Sequence, residues 1–295
     1  MTAPKYPNFK PIELSDQEII SHHLALSERK ICELNLANFI IWTDFDNSYL
    51  TLIHDNLCVL INPLTEPAYF LEPLGKNKII ETTEACLKHI GKISRASSDF
   101  ISHLPHGRFH AVCIRSQFDY VYGVKDLAEL KGKKYDGKRN HLKRFLKHFP
   151  DHHFVALKPD HKADAFKLFD RWFEFRKDSK FFPKLAYLAQ KSALETSFNN
   201  FHRLGLSGGA VFGHDRLLGF FIGSRLNHDT IDLHFLYSDP EVQGAYQFLL
   251  RKACGKTFSS FKYINLEQDL GIPGLRQSKL SNHPVRLEQK FEVKL

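Results

Sequence analysis

The chain has 295 residues, of which 43% are hydrophobic and 25% are charged. This composition excludes an intrinsically disordered chain, and it fits one large domain or two of about 150 residues each. Lysine and arginine total 41 against 33 aspartate and glutamate, which gives a net charge of +8. The excess favours polyanionic partners such as RNA, phosphorylated ligands or anionic lipid headgroups, although a plain solvated basic surface would give the same total.

The cysteines and apolar runs point to an intracellular protein. Five cysteines at irregular spacing, without a CxxC pair, favour buried reduced thiols over a disulfide framework or a zinc site. No histidine pair has the HExxH spacing, and we predict no metal site. No apolar run approaches the roughly 18 residues that span a bilayer, and the N-terminus does not resemble a signal peptide. We therefore expect a cytoplasmic protein without a transmembrane segment.

The pattern of apolar and turn residues in the first half of the chain predicts a mixture of short helices and strands. Its predicted elements are a helix at 17–26, an apolar stretch at 34–42, a hairpin of 49–53 and 57–61, a short strand at 69–71, a helix at 82–93 and a strand at 109–114.

A strongly basic helix follows. Between Lys131 and Lys147 eight residues are lysine or arginine, and only Asp136 is acidic. Apolar residues at i, i+3, i+4 and i+7 predict one buried stripe, which leaves the basic side chains on the other faces. That stripe consists of Leu142, Phe145, Leu146 and Phe149. We predict that the helix binds a polyanion, such as tRNA phosphates or lipid headgroups; a solvated charged face is the alternative. The candidates are Lys133, Lys134, Lys138 and Arg139, with Asn140 either binding or capping locally.

The second half shows the clearest pattern. Its predicted elements are helices at 162–177 and from about Pro183 to Gly205, strands at 209–212, 217–226 and 231–237, a helix at 242–257, a strand at 261–266, a loop at 269–274 and a final strand at 285–293.

The first half repeats this order weakly, which predicts two tandem units of one α/β (α+β) fold at 1–150 and 151–295. Each unit would be a mixed central sheet flanked by helices, in the order of the acetyltransferase fold abbreviated GNAT. In that fold a central strand leads to a helix whose N-terminal amides receive a phosphate. The matching junction has one glycine, Gly244, and an acidic Glu241. It favours a plain helix cap by Ser238 or Asp239 over a pyrophosphate cradle.

Two long segments, Phe118–His141 and Tyr263–Pro284, carry a specific resemblance. With Phe9–Leu14 and Gly244–Gln247, they resemble hallmark segments of a bacterial family that shares the C-terminal domain of phosphatidylglycerol lysyltransferases. The resemblance implies two tandem GNAT-like units. The best-known members of that family move an aminoacyl group from charged tRNA to a lipid hydroxyl. They generally carry a membrane-embedded flippase portion, which has no counterpart in this sequence, so amine and other hydroxyl acceptors stay open.

The second segment also supplies the candidate site, because it follows the last buried strand of the C-terminal unit. We predict that Arg276 and Lys279 hold a phosphate or stabilise an oxyanion, and that Glu267 or Asp269 orients or deprotonates the acceptor. His234 would reach the same cleft. Further substrate-binding candidates are Tyr246 and Gln268. The alternatives are a structural salt-bridge network in the loop and a satisfied core histidine at His234.

Three hypotheses about function follow. The first is an aminoacyl or acyl transferase that uses aminoacyl-tRNA or acyl-CoA as the donor and implies no other cofactor. The second is a non-catalytic module that binds RNA or an anionic membrane surface, and the third is an interaction protein. The sequence shows no nucleophile, but direct attack by the acceptor needs none. Because the first half shows no comparable polar cluster, we expect its unit to be a structural support.

Overall fold

A computed structural model describes residues 3–177 and 184–295. The β-strands in these ranges are β1 Lys10–Pro11, β2 Ser48–Ile53, β3 Asn56–Ile61, β4 Tyr69–Phe70, β5 Ile93–Ser97, β6 His110–Cys113, β7 Asp119–Gly123, β8 His153–Ala156, β9 Ser207–Gly213, β10 Arg216–Arg225, β11 Thr230–Ser238, β12 Tyr263–Asn265, β13 Arg286–Glu288 and β14 Lys290–Lys294.

The α-helices in the same ranges are α1 Gln17–Leu24, α2 Leu36–Ile41, α3 Thr43–Asp46, α4 Ile79–Ile90, α5 Ser98–Ser102, α6 Val124–Glu129, α7 Asp136–His148, α8 Lys162–Glu174, α9 Lys184–Asn199, α10 Ala245–Lys252 and α11 Pro273–Leu280. Helix α9 is described from Lys184 onwards, and its predicted start near Pro183 lies outside the described residues.

The chain divides into two compact units with discontinuous boundaries. The N-terminal unit consists of the described residues up to Asp119, with Gln268–Leu275 and Leu287–Leu295. The C-terminal unit consists of the described residues of Tyr120–Glu267, with Arg276–Arg286. The sequence predicted a single boundary at residue 150, whereas the structure assigns the basic helix to the C-terminal unit and the last strand to the N-terminal one.

The two sheets share one topology. The N-terminal sheet has the order β1-β2-β3-β4-β5-β14-β6, and the other has the order β13-β7-β12-β11-β10-β9-β8. In the first, β2, β3 and β4 form an antiparallel meander, and β5 pairs parallel with β4 after helix α4. In the second, β9, β10 and β11 form the meander, and β12 pairs parallel with β11 after helix α10. This repetition confirms the predicted α/β fold of two tandem GNAT-like units, each with a mixed sheet.

Aromatic side chains pack helices α8 and α9 onto one face of the C-terminal sheet. Phe169 of α8 lies 5.1 Å from the ring of Tyr237 on β11. Phe198 of α9 lies 6.3 Å from the ring of Phe220 on β10. All four side chains are buried, so these helical stripes form core contacts, as their spacing predicts.

Several local predictions were wrong. Helix α11 begins at Pro273, inside the loop expected at 269–274, and the predicted final strand is divided into β13 and β14. Cys113 is exposed, whereas the other four cysteines are buried. Leu146 is 42% exposed and does not complete the buried stripe of α7. Among the described residues no helix is both long and apolar enough to traverse a lipid bilayer.

Candidate functional site

Strands β11 and β12 of the C-terminal unit separate after a short parallel ladder. The ladder has three residue pairs and ends where Asp232 faces Asn265. Beyond that point the chain after β12 pairs with Tyr120 instead, which accepts a hydrogen bond from the Leu266 amide at 2.9 Å and donates one to Glu267 O at 3.2 Å. The two parallel strands therefore part at the carboxyl end of β12. We call this point of separation the opening, and it lies at the edge where open α/β sheets place ligands.

His234 stands at this opening because β11 carries a β-bulge there. Gly223 of β10 faces Leu233, but the preceding Ile222 faces Phe235, so His234 is the extra residue. Bulges commonly redirect a side chain next to a functional site. The His234 side chain is 0% exposed, so its ring is held entirely by neighbouring groups.

Both ring nitrogens of His234 have hydrogen-bonding partners. The Nδ1 atom lies 3.2 Å from Glu267 Oε1, and the Nε2 atom lies 2.8 Å from Ser224 Oγ. Because an ionised carboxylate only accepts, we assign the ring proton to Nδ1, and the Ser224 hydroxyl then donates to Nε2. The Glu267 side chain is 22% exposed and is the outermost of the three groups. The arrangement fixes a solvent-accessible carboxylate at the opening.

Lys279 holds the backbone that presents Glu267. Glu267 has a positive φ of 58°, which is unusual for a residue with a Cβ. The Lys279 Nζ donates to Glu267 O at 3.0 Å and also to Leu266 O, and the residue is only 7% exposed. Asn265 Oδ1 accepts a hydrogen bond from the Glu267 amide at 2.7 Å. The ammonium predicted to contact a phosphate or an oxyanion thus bonds two carbonyls of this turn.

The other residues predicted for this site are dispersed. Asp269 is fully buried in the N-terminal unit, where it accepts from the Arg115 guanidinium at 3.2 Å and from the Gly271 amide at 2.8 Å. Gln268 belongs to the same unit and donates to Glu33 Oε1 at 2.5 Å. Arg276 is half-buried on helix α11 of the C-terminal unit. Within the C-terminal unit, the structure brings together His234, Glu267 and Lys279.

The N-terminus of helix α10 is closed by helix α7. A Cβ atom on Gly244 would lie 2.2 Å from the His141 carbonyl oxygen, so the two backbones are in direct contact. The buried Asp239 carboxylate binds Arg171 at 2.7 Å and also Arg216, and it accepts from the Glu241 amide at 3.1 Å. This junction is a packed helix start, in which the Glu241 amide is bonded to Asp239 and the Gly244 backbone contacts α7.

Replacing Gly244 with Ala tests this packing. We expect the free energy of unfolding to fall by at least about 2 kcal/mol, because the alanine would need a left-handed conformation and would push α10 away from α7. Urea denaturation measures the loss. Gly137→Ala is the matched control on α7, since a Cβ there meets no atom within 4 Å, and it should be neutral or stabilising. Equal effects of the two substitutions would contradict the close approach.

Helix α7 exposes its charges on the face opposite its buried side. Leu142 and Phe145 are buried, whereas Lys143, Arg144 and Lys147 are exposed. Of the residues predicted to bind a polyanion, those near the start of the helix are partly engaged. Lys138 donates to Ser281 Oγ at 2.7 Å, and burial lowers the pKa of Lys138. Arg139 donates to Gly132 O at 2.9 Å and to the Asp136 carboxylate. Lys133, Lys134 and Asn140 are exposed.

Tyr246 lies in the first turn of α10. Tyr246 is half-buried. Desolvation raises its pKa to about 12, while a hydrogen bond with Asn282 acts in the opposite direction. The phenol is therefore a neutral hydrogen-bonding group inside the C-terminal unit at physiological pH.

A buried ionic cluster in the N-terminal unit escaped the sequence reasoning. Lys290 of β14 is fully buried, and its Nζ lies 2.6 Å from Asp119 Oδ1, 2.5 Å from Glu33 Oε2 and 3.4 Å from Cys32 Sγ. The Asp119 carboxylate also accepts from the Cys32 amide at 2.7 Å. The expectation that this unit has no polar cluster was wrong. Apart from the adjacent Cys32 and Glu33, its members lie far apart along the chain, so no local spacing in the sequence indicates them.

The electrostatics of this cluster identify Lys290 as its counter-ion. Burial would lower the pKa of Lys290, but the charges of Asp119 and its neighbours raise it above the ordinary value. Burial raises the pKa of Glu33, and Lys290 opposes that change. The ligand atoms of Cys32, Glu33 and Asp119 lie within 4.8 Å of one another, in a geometry that would suit a cation. The Lys290 ammonium contacts all three, so it serves as that cation.

The chain matches the family described as "Phosphatidylglycerol lysyltransferase, C-terminal" over residues 24–294. A crystal structure of a conserved protein of unknown function from Bacteroides thetaiotaomicron is 27% identical, with a TM-score of 0.86, and covers 97% of this chain and 99% of that one. The L-PGS structure from Bacillus licheniformis is 11% identical, with a TM-score of 0.63, and covers 100% of this chain and 93% of that one. That second likeness shows a shared fold.

A curated relative, an uncharacterised protein of Mycoplasmoides gallisepticum, is 22% identical over 188 residues, which cover 61% of this chain and 57% of the relative. The chain therefore spans little more than half the length of this relative. The family match covers almost the whole chain, in agreement with the tandem fold and with the resemblance of the two hallmark segments. The protein belongs to the family of phosphatidylglycerol lysyltransferase C-terminal domains.

Proposed function

We propose that the C-terminal unit transfers an aminoacyl group from charged tRNA to an amine or hydroxyl acceptor, with the Glu267 carboxylate as the base. The observation that carries the proposal is the His234–Glu267 pair at the opening between β11 and β12. A base must stand within reach of the proton that it removes, and a partly exposed carboxylate held by a buried histidine meets that requirement. The family match makes a transferase the expected class.

The reaction is a direct displacement. The acceptor oxygen or nitrogen attacks the carbonyl carbon of the aminoacyl ester, a bond forms between them, and the bond from that carbon to the ribose oxygen breaks. The acceptor's proton passes to Glu267, and the protonated Glu267 then gives it to the leaving ribose oxygen, which restores the carboxylate. His234 donates to Glu267 through Nδ1 and keeps the carboxylate oriented, while Ser224 fixes the ring tautomer. Tyr246 remains a predicted substrate-binding residue of this unit, and Arg276 remains predicted to hold a phosphate or stabilise the oxyanion.

The closed start of α10 favours a donor other than acyl-CoA. A GNAT-type acyl-CoA transferase needs free amides at this helix start for the pyrophosphate, and here Gly244 contacts the His141 carbonyl oxygen. A tRNA donor instead needs a cationic surface for its phosphates. The exposed residues of α7 and the residues just before it supply one: Lys133, Lys134, Lys143, Arg144 and Lys147.

Equilibrium binding to charged tRNA and, in parallel, to acetyl-CoA tests the donor. We expect salt-dependent tRNA binding and no saturable binding of acetyl-CoA. The variant K143Q/R144Q/K147Q should weaken tRNA binding and lower the slope of log K against log salt by about 2–3, because each phosphate contact contributes about 0.7–0.9. The variant K133Q/K134Q/K138Q/R139Q tests the four residues that the sequence predicted.

The control is K5Q/K88Q/K294Q, which removes three exposed charges from the N-terminal unit and should leave the slope unchanged. Acetyl-CoA binding without tRNA binding would overturn the proposed donor. Salt-sensitive tRNA binding without transfer to any acceptor would instead favour a non-catalytic RNA-binding module.

A further inference from the structure

The N-terminal unit contains a cavity of about 370 Å³ beside the start of helix α5. This volume is within the range of small-molecule sites. Part of its wall is apolar and includes Ile79 of α4 and Phe100 of α5. Three carboxylates also line it: Glu28, Glu72 and Asp99. Lys76 is the one lysine of the lining among the described residues. The cavity thus has both an apolar wall and an anionic wall.

Glu72 is the carboxylate of this wall that we expect to bind a ligand. It is 6% exposed, and its carboxylate accepts hydrogen bonds from the Ser97 amide at 2.6 Å and from the Ser97 hydroxyl at 3.1 Å. Both donors are neutral, and within residues 3–177 and 184–295 no cationic side chain forms an ion pair with it. Buried carboxylates are ordinarily paired with a cation or protonated, because an isolated charge is costly inside a protein.

The surroundings of Glu72 increase this cost. Burial raises the pKa of Glu72 to about 7, the Ser97 hydrogen bonds act against that rise, and the charges of Asp99 and Glu33 add to it. Of the other titratable groups that line the cavity, Glu28 follows α1, Lys76 precedes α4 and His103 follows α5. A cation beside Glu72 would favour the ionised carboxylate and relieve the repulsion from its acidic neighbours.

We propose that this cavity binds a small organic cation, a protonated amine on a short apolar body, with Glu72 as the carboxylate that receives the ammonium group. The apolar part lies against Phe100 and Ile79, and Asp99 adds long-range attraction. This site is internal to the N-terminal unit and uses none of the residues assigned to acyl transfer. The N-terminal unit, which the sequence predicted to be only a structural support, therefore has a ligand site of its own.

Titrating the purified protein with 3-methylbutylamine, followed by ligand-observed NMR, tests the site. The alcohol 3-methylbutan-1-ol has the same apolar body without the charge, and we expect it to bind at least tenfold more weakly at pH 8. Since Glu72 must be ionised, the affinity for the amine should fall by about thirtyfold between pH 8 and pH 5.5, in proportion to the ionised fraction. Equal binding of the two compounds would overturn the proposal.

The variant E72Q should weaken amine binding at least tenfold and remove its pH dependence. E18Q removes an exposed carboxylate of helix α1 and should change neither. Wild-type binding by E72Q would also overturn the proposal. A measurement on the wild-type protein covers the case in which E72Q does not fold: saturating amine should lower the pKa of Glu72, read from its carboxyl ¹³C resonance, and the alcohol should not. An unmoved pKa would contradict the site.

Discussion

The variant Lys290→Met is expected to lose about 3–5 kcal/mol of the free energy of unfolding, a large part of the roughly 5–15 kcal/mol that is typical of a folded domain. The substitution keeps the length of the side chain but removes the ammonium. Asp119 would then lose the ammonium that lies 2.6 Å from its Oδ1 atom, at a site where both side chains are fully buried. Glu33 would lose the ammonium 2.5 Å from its Oε2 atom and keep the more distant Arg95 guanidinium at 3.7 Å. Urea denaturation measures the loss, and soluble yield reports it if the variant does not fold at all.

Lys294→Met is the matched control, because Lys294 is an exposed residue of the same strand, β14. It should change the free energy of unfolding by less than about 0.5 kcal/mol. Converting the partners as well, in E33Q/D119N/K290M, should recover much of the loss, since no buried charge is then left without a partner. If Lys290→Met alone cost less than about 1 kcal/mol, Lys290 would not be the counter-ion of this cluster.

The variant Glu267→Gln is expected to slow aminoacyl transfer by about 10²–10⁴-fold while leaving tRNA binding unchanged. Glutamine retains the size of the side chain and an oxygen that can accept from His234 Nδ1, but it cannot take up the acceptor's proton. Single-turnover transfer from charged tRNA carrying a labelled amino acid, to a panel of lipid hydroxyls and small amines, measures the rate.

Glu241→Gln serves as the control, because Glu241 is an exposed carboxylate of the same unit next to α10. It should retain the full rate. His234→Gln should reduce the rate less than Glu267→Gln does, since His234 orients the base and does not itself receive the proton. Full activity of Glu267→Gln would remove this residue from the mechanism, and a loss of tRNA binding would mark its role as structural.

Local patterns in the sequence were sufficient for the meander of β9, β10 and β11, because alternating apolar residues and turn residues determine such hairpins. The same reasoning located α7, whose buried Leu142 and Phe145 have helical spacing. It also selected His234 and Glu267, 33 residues apart, which the structure joins by a hydrogen bond. That pairing follows from the parallel neighbours β11 and β12, because His234 and Glu267 each come two residues after the last pair of their ladder, Asp232 and Asn265.

The parts that the sequence did not predict depend on contacts between distant segments. Lys290 alternates with apolar residues in a short strand, a pattern typical of an exposed lysine, and its burial becomes evident only when Asp119 and Glu33 are beside it. Lys279 resembled a ligand-binding cation, but its Nζ bonds carbonyls 12 and 13 residues earlier in the chain. In both cases the tertiary environment determines the role of the lysine, and the spacing of neighbouring residues in the sequence does not indicate that role.

The position of β14 has a consequence for the order in which the chain folds during synthesis. Asp119 leaves the ribosome 171 residues before Lys290, the cation that neutralises it. During this interval the N-terminal sheet lacks the strand between β5 and β6. The described residues of Tyr120–Glu267, which hold most of the C-terminal unit, emerge earlier and are free to collapse first. Translation thus reverses the order of the units: the one begun first is completed last, and a nascent chain stalled before β14 exposes an unfinished sheet to chaperones and proteases.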